Sequence, residues 1–395
     1  MRILSITDQV PRLPGPGTES RCFCLMRELA GKHSFTVLTT ARGHTEEAKG
    51  LERMGIAVER LTDADPPAPP APDSIFRDFS GLPAQVRRTG IFRGQMRAKV
   101  EALLDKGFDA IQVEHSTNGI WLDGLRAGIP LILVFHNVCS LFERRVFLTR
   151  RGIAERARAF LEWRRMRAYE RRVSSLYGTL VALSENERRV LAALTGRGGL
   201  EIVPNGVDTA RFSPPAGEPE PDTMVYTGGM YWFPNHEAMA FFIGKILPLI
   251  RREIPGARLA IVGPRPPEAL RAMAAGAHVD VVDDPGDARG YIARAALCVV
   301  PLQVGAGTRV KILEAMAMGK AIVSTRVGCE GLGLVEGRDI AVADGPRDFA
   351  AAAVALLRDR RRAGAMGAAA RKRAAEYDYA LLAKAQDAVY ERVAR

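Results

Sequence analysis

Residues 296–325 read ALCVVPLQVGAGTRVKILEAMAMGKAIVST. The apolar run 296–300 has strand length, a Gly-Ala-Gly-Thr loop follows at 305–308, a helical pattern fills 308–318, and a second apolar run occupies 320–325. A strand, a helix and a strand in 30 residues form a unit whose two strands lie parallel and are covered on both faces. The same alternation runs along the whole chain. Further strands are predicted at 2–7, 35–40, 56–61, 109–114, 130–135 and 178–183, and again at 223–227, 258–262, 278–282 and 339–343. Helices are expected at about 18–31, 86–106, 155–173 and 184–195, then 236–253, 288–295, 346–359 and 362–376. Ser184 and Glu187 have the spacing of a capping box. Two such blocks predict two doubly wound α/β domains.

The break between the blocks falls at 204–222, PNGVDTARFSPPAGEPEPD, where Pro, Gly and Asp interrupt any periodicity. A chain of 395 residues suits two or three domains. Its 47% apolar and 26% charged residues exclude bulk disorder and fibrous repeats. No apolar run reaches the ~18 residues of a membrane span. The opening MRILSITD meets Asp8 too early for a signal-peptide core, which leads us to expect a cytoplasmic protein. Five scattered cysteines without a CxxC pair fit a reducing compartment and argue against a disulfide frame or zinc site.

The formal net charge is +11, and it is uneven. Residues 1–205 carry 31 Lys/Arg against 23 Asp/Glu, and Arg144–Arg172 alone carries 11 Arg against three Glu. Such a stretch faces something anionic or is a heavily solvated helix. Contact with anionic membrane is one expectation for it. No nucleic-acid motif accompanies the charge, so nucleic acid is not an expected partner.

Ligands of open α/β sheets bind beyond the C-terminal ends of the strands, so residues that follow strands are the ones to weigh. After the first strand come Gly15 and Gly17, which let backbone approach a ligand near a helix start. His136 ends the strand PLILVF, where it faces the crevice or is satisfied by local backbone. Gly228 and Gly229 close the first strand of the second half and Gly263 closes the next, leaving room for a nucleotide. Gly307, Thr308, Arg309 and Lys311 bring free N–H groups, a helix dipole and two cations to one place, a site for a diphosphate. Glu314, one turn after Lys311, offers a carboxylate to paired sugar hydroxyls, or else pairs with Lys311. Asp63-Ala64-Asp65 spells a metal–phosphate motif but sits in the Pro-rich stretch 63–73 with no strand before it, so no metal site is expected there. Asp283-Asp284 reads as a turn.

Several of these segments look familiar. VPNGVDTARFSP (203–214) resembles the hinge, and PLQVGAGTRVKILEAMAMGKAIVST (301–325) the donor-site block, of family 4 retaining glycosyltransferases of GT-B fold. The N-terminal glycine loop, His136-Asn137 and RAYERRVSSLYGTLVALSENE (167–187) resemble their acceptor half. The GTRxKxLEAMA motif is closest to a bacterial exopolysaccharide and exosortase-associated subgroup. The resemblance implies two Rossmann-like domains facing across a cleft that holds the active site. These are an acceptor domain at 1–204 and a nucleotide-sugar domain at 205–376, with a terminal helix at 377–395 returning to the first. It implies retaining transfer of a sugar from a nucleotide diphosphate to a glycan or lipid-linked acceptor, with no metal and no cofactor, at the inner face of the plasma membrane.

By the same resemblance His136 meets the donor sugar, Glu314 holds the donor ribose, and Gly15 and Gly17 lie near phosphates and acceptor. Two positions depart from the family pattern. Ala306 stands where the family has the first glutamate of an E-x7-E pair. Residues 228–238, GGMYWFPNHEA, lack its usual Arg and Lys, with Asn235 near the lysine's place. Arg309 and Lys311 are then the expected diphosphate ligands. Competing readings are a nucleotide-sugar hydrolase or epimerase of the same fold, or a non-catalytic basic binding module.

Overall fold

The computed structural model describes residues 1–40, 45–62 and 81–394. The expected DxD triplet, Asp63-Ala64-Asp65, lies outside the described residues. The chain divides into two compact units, Met1–Pro204 with Tyr379–Arg395, and Asn205–Asp378.

The first unit carries strands β1 Arg2–Thr7, β2 Ser34–Thr39, β3 Ala57–Arg60, β4 Ala110–Glu114, β5 Leu131–Phe135, β6 Thr179–Ala182 and β7 Glu201–Ile202. Its helices are α1 Gly17–Leu29, α2 Thr45–Glu52, α3 Ala84–Gly90, α4 Arg93–Leu104, α5 Cys139–Thr149, α6 Ile153–Val173 and α7 Glu185–Thr195. The parallel sheet is ordered β3-β2-β1-β4-β5-β6-β7. Alternate strand residues enter opposite cores. Leu4, Leu133 and Phe135 pack with Met96, Met166 and Tyr169 on one face, while Ile3, Ile132 and Val134 pack with Cys22, Leu25 and Tyr390 on the other. Burial on both faces is why these strands read as unbroken apolar runs.

The second unit carries β8 Glu220–Thr227, β9 Arg258–Val262, β10 Asp280–Val282, β11 Ala295–Val300, β12 Ala321–Ser324 and β13 Ala341–Val342, ordered β10-β9-β8-β11-β12-β13 and parallel. Its helices are α8 Phe233–Phe241, α9 Leu247–Glu253, α10 Glu268–Gly276, α11 Arg289–Arg294, α12 Val310–Ala317, α13 Arg326–Cys329, α14 Pro346–Arg358 and α15 Arg360–Ala374. The helix α16, Tyr379–Val393, packs with α1 in the first unit's core through Tyr379, Leu382 and Tyr390.

Four sequence expectations need correction. The helix expected at 86–106 is two, α3 and α4, broken at Ile91-Phe92. The helix at 236–253 begins three residues early at Phe233 and passes through a π-turn at Phe242–Ile246, which re-phases its buried side so that Phe242, Ile246 and Ile250 all face the core. The strand expected at 339–343 shrinks to two residues. Helices α2, α5 and α10 had no counterpart among the predicted helices. Among the described residues no helix is long and apolar enough to cross a membrane.

Candidate active site

In both sheets the chain reverses its direction of growth at one place, between β1 and β4 in the first unit and between β8 and β11 in the second. Loops leaving such neighbouring strands diverge and open a crevice at their C-terminal ends. Most of the candidate residues lie at these two points.

In the second unit, β8 runs into Gly228 (φ 141°) and β9 into Gly263 (φ 151°), backbone shapes that side chains rarely adopt. A Cβ on Gly263 would overlap the carbonyl of Gly228, and one on Gly228 would lie 2.7 Å from Lys311 Nζ. Two bare backbones therefore cross directly beneath a lysine. Lys311 Nζ sits 3.8 Å from the centroid of the Tyr226 ring and donates to Asn235 Oδ1 at 3.0 Å. Tyr226 donates its hydroxyl to the same oxygen at 2.7 Å, and Asn235 Nδ2 donates to Gly229 O at 2.8 Å. Burial, with Arg309 nearby, pulls the Lys311 ammonium well below its ordinary value, while Glu314 opposes the shift. A charge held this way is short of an anion.

Arg309 is not in the first turn of α12, as expected, but is its N-cap residue, with φ −94° and ψ 101°. That places it off the helix surface and lets it and Lys311 address different atoms. Its guanidinium folds under the glycine loop and donates to the carbonyls of Ala306 and Gly307. A Cβ on Gly305 would meet that guanidinium, which would then have to shift. Thr308 Oγ1 is buried beside it with no partner among the described residues. A buried hydroxyl without a partner marks a place where a ligand atom fits. Glu314, half-buried, is pushed up to about 7 by burial, with Lys311 and Arg211 pulling the other way. Arg211 in turn reaches Asp287 at 3.5 Å. A small cavity below is lined by Thr227, Val300, Lys311 and Ala315 among others.

In the first unit, Gly15 is held by Ser20, whose Oγ donates to its carbonyl at 2.7 Å, and α1 starts at Gly17. His136 follows β5, and its Nε2 lies 2.5 Å from Glu114 Oε2 at the end of β4. Gln112 donates to the other Glu114 oxygen at 2.5 Å. Burial pushes the Glu114 carboxyl upward, but the His136 hydrogen bond and the charges of His136 and Arg21 outweigh it and hold it below the usual carboxylate value. A carboxylate has no proton to give, so His136 Nε2 is the donor. His136 Nδ1 is left buried and without a partner among the described residues. The His115 ring lies 4.3 Å from that of His136, and burial together with the His136 charge pushes His115 down to about 4, keeping it neutral.

The loop between His136 and α5 is pinned by carboxylates from two helices. Glu187 accepts from Val138 N, and Glu170 from the N–H groups of Cys139 and Ser140. The ligand atoms of Cys22, Glu114 and His136 all lie within 4.8 Å of one another, a donor set able to hold a metal ion. The direct hydrogen bond between two of them accounts for that closeness without one. Sequence reading missed this grouping because the three come from α1, β4 and β5.

The structure thus gathers Gly228, Gly229, Gly263, Gly307, Thr308, Arg309, Lys311 and Glu314 in one unit, and Gly15, Gly17 and His136 in the other. It adds Tyr226, Asn235, Glu114 and His115. Only Asn235 had a signal in the sequence, as the residue near the family's lysine.

Two parallel doubly wound sheets, each with glycine-bearing loops at its strand-order reversal, have the domain architecture of GT-B glycosyltransferases. The model of "Glycosyltransferase Family 4" matches residues 17–211 and that of "Glycosyl transferases group 1" matches 221–359. The chain belongs to this family of glycosyltransferases. It is 27% identical to D-inositol 3-phosphate glycosyltransferase of Kineococcus radiotolerans over 88% of each chain. It is 32% identical to a GDP-mannose-dependent phosphatidylinositol monomannoside mannosyltransferase of Mycolicibacterium smegmatis, over 46% of this chain and 53% of that one. Its fold matches HepE of Anabaena, solved with UDP and glucose, with TM-score 0.69 at 13% identity, covering 99% of this chain and 100% of that one. Sucrose-phosphate synthase of Thermosynechococcus elongatus gives TM-score 0.72 at 17% identity, covering 99% and 98%.

Proposed function

We propose that this glycosyltransferase moves a sugar, with retention, from a nucleotide-diphosphate donor to a glycan or lipid-linked acceptor in cell-surface polysaccharide assembly, at the inner face of the plasma membrane. The observation that carries the reading is the anion-deficient pocket around Lys311. A half-buried ammonium, a capping guanidinium and an unpartnered Thr308 hydroxyl converge on the start of α12 at the sheet's reversal point. A diphosphate brings charged acceptor oxygens to this group of donors. As it leaves, its growing charge is met by Arg309 and Lys311, which stabilises the transition state more than the ground state.

Glu314 takes paired ribose hydroxyls. His136, oriented by Glu114, presents Nδ1 to a sugar hydroxyl. The leaving phosphate takes the acceptor's proton, so no enzymatic nucleophile, metal or other cofactor is needed in this reading. Support comes from the Anabaena neighbour solved with UDP and from the two lipid- and inositol-directed relatives named above. Thermal-shift screening against UDP-, GDP-, ADP- and dTDP-sugars tests it, because a ligand that binds only the folded state raises its stability. No shift with any donor sinks the reading. Acceptor-independent release of free sugar as the main product favours the hydrolase alternative, which Ala306 keeps in view.

A further inference from the structure

The arginine-rich stretch is a helical hairpin, α5 running out and α6 running back, turning at residues 150–152. Its tip is unusual in what it shows to water. Every residue from Arg151 to Arg158 is exposed, including Ile153 at 91%. Leu148 on the outgoing arm is 56% exposed, and Leu161 and Phe160 are 48% and 43%. Ile153, Phe160 and Leu161 stand at i, i+7 and i+8, which places them on one side of α6. Single exposed apolar residues are ordinary, but a cluster at a projecting tip is not.

The hairpin does not need Leu148, Ile153 or Leu161 for the aromatic packing that joins its arms. Phe147, Phe160 and Trp163 stack on each other with centroids 5.5–5.9 Å apart, and Arg156 lies 5.0 Å over Phe147. The acids of the hairpin are mostly turned inward. Glu170 is buried against the start of α5, and Glu162 takes Ala84 N and Arg165. Glu155 is left among exposed Arg151, Arg156, Arg158 and Arg164. The tip is therefore apolar at its centre and cationic around it.

We propose that this tip is an interfacial anchor for an anionic phospholipid bilayer. Leu148, Ile153 and Leu161 enter the boundary between headgroups and acyl chains, while the surrounding arginines hold lipid phosphates. The pairing of shape and charge selects the occupant. A nucleic-acid backbone would use the arginines but gives the apolar side chains nothing to bury against. A neutral apolar partner would use the reverse. An anionic bilayer uses both, and the two contributions add. The inference deepens the membrane-side setting proposed above and rests on that setting, not on which sugar is transferred.

The test uses the full chain, without donor, and vesicles of phosphatidylcholine alone or mixed with phosphatidylglycerol. The protein is expected to co-sediment with the mixed vesicles, less as salt rises, since the Debye length shrinks to ~3 Å at molar ionic strength. Leu148→Ser with Ile153→Ser should weaken that binding about tenfold or more, with melting temperature unchanged because both side chains are exposed. Arg151→Glu with Arg158→Glu should remove the preference for anionic lipid. Equal binding to both vesicle types, or a serine variant that binds like the original, overturns the proposal. So does a concentration-dependent dimer, lost in the serine variant, without vesicle binding, which would assign the face to a second copy. Donor thermal shifts measured alongside report on the transferase reading separately.

Discussion

Glu114 Oε2 and His136 Nε2 stand 2.5 Å apart at the ends of adjacent strands, both buried. The contact decides which imidazole nitrogen faces a ligand, because the carboxylate takes the Nε2 proton and leaves Nδ1 available. Glu114→Gln keeps the shape and can still accept through its carbonyl oxygen. It should lower kcat about tenfold, while His136→Ala lowers it further. The double variant should be no worse than His136→Ala, since Glu114 acts through the histidine. Additive losses would give Glu114 a separate role.

A diphosphate should push the Lys311 ammonium back up toward its ordinary value. Its value is depressed in the free protein and an anion raises it. Donor binding should therefore take up protons, seen by calorimetry in buffers of different ionisation heat, and should weaken as pH rises through the bound-state value. Lys311→Met should abolish the uptake. Arg309→Ala should cost about a hundredfold or more in kcat, as the loss of a charge that meets the leaving group. Turnover within a few-fold of wild type for both changes moves the diphosphate elsewhere.

Glu314 is pushed up to about 7 by burial. Only the ionised form is a charge-assisted acceptor, so donor affinity through this group falls as pH drops below about 7. Glu314→Gln should bind donor roughly tenfold more weakly at pH 8, in line with the ~1.5–3 kcal/mol of such hydrogen bonds. It should also be flatter with pH in the acid range. Equal affinities at pH 8 place Glu314 outside the donor site.

Gly263→Ala introduces a Cβ into the Gly228 carbonyl, at a φ of 151°. Neither backbone is a flexible neighbour that can step aside. The variant should melt several degrees lower, on the order of 2 kcal/mol, and lose donor-induced stabilisation. Gly276→Ala, with open space at its Cβ, is the control.

Glu143, half-buried near Glu162, is pushed up to about 7 by burial and by that neighbour. Its folded value lies above its unfolded one, so the folded state holds the proton longer. Stability is lost as pH rises from about 4.5 to about 7. Glu143→Gln should raise the melting point at pH 8, by about 1 kcal/mol after allowing for solvent screening, and leave it unchanged at pH 4. An equal effect at both values would point to packing instead.

Most strands of both sheets, though not the short β7, were readable because burial on two faces leaves runs such as PLILVF and ALCVV without a polar residue. The capping box at Ser184 was equally local, and Ser184 Oγ does accept from Glu187 N. Helix α5 was not, because its buried Cys139, Phe142 and Val146 share the helix with Glu143, Arg144 and Arg145, and much of its packing is against α6. The candidate residues Gly307, Thr308, Arg309, Lys311 and Glu314 were legible from one short segment, since loop, cap and helix are consecutive in sequence. Tyr226 under Lys311 and Glu114 beside His136 were not, because each pair joins residues far apart along the chain. Arg309 sat one position outside the helix expected for it, a boundary that depends on cap geometry and not on periodicity.

Helix α16 comes after the whole of Asn205–Asp378 in the chain, yet it completes the first unit. Its Gln386 and Tyr390 hydrogen-bond to Gln112, the residue that also holds Glu114. During synthesis one side of the first unit's core therefore stays uncovered until Asn205–Asp378 has been made. The order of emergence makes the Gln112 contacts that support Glu114 and His136 among the late parts to be assembled. A nascent chain that has reached only Asp378 would hold every residue of the second unit and a first unit still without α16.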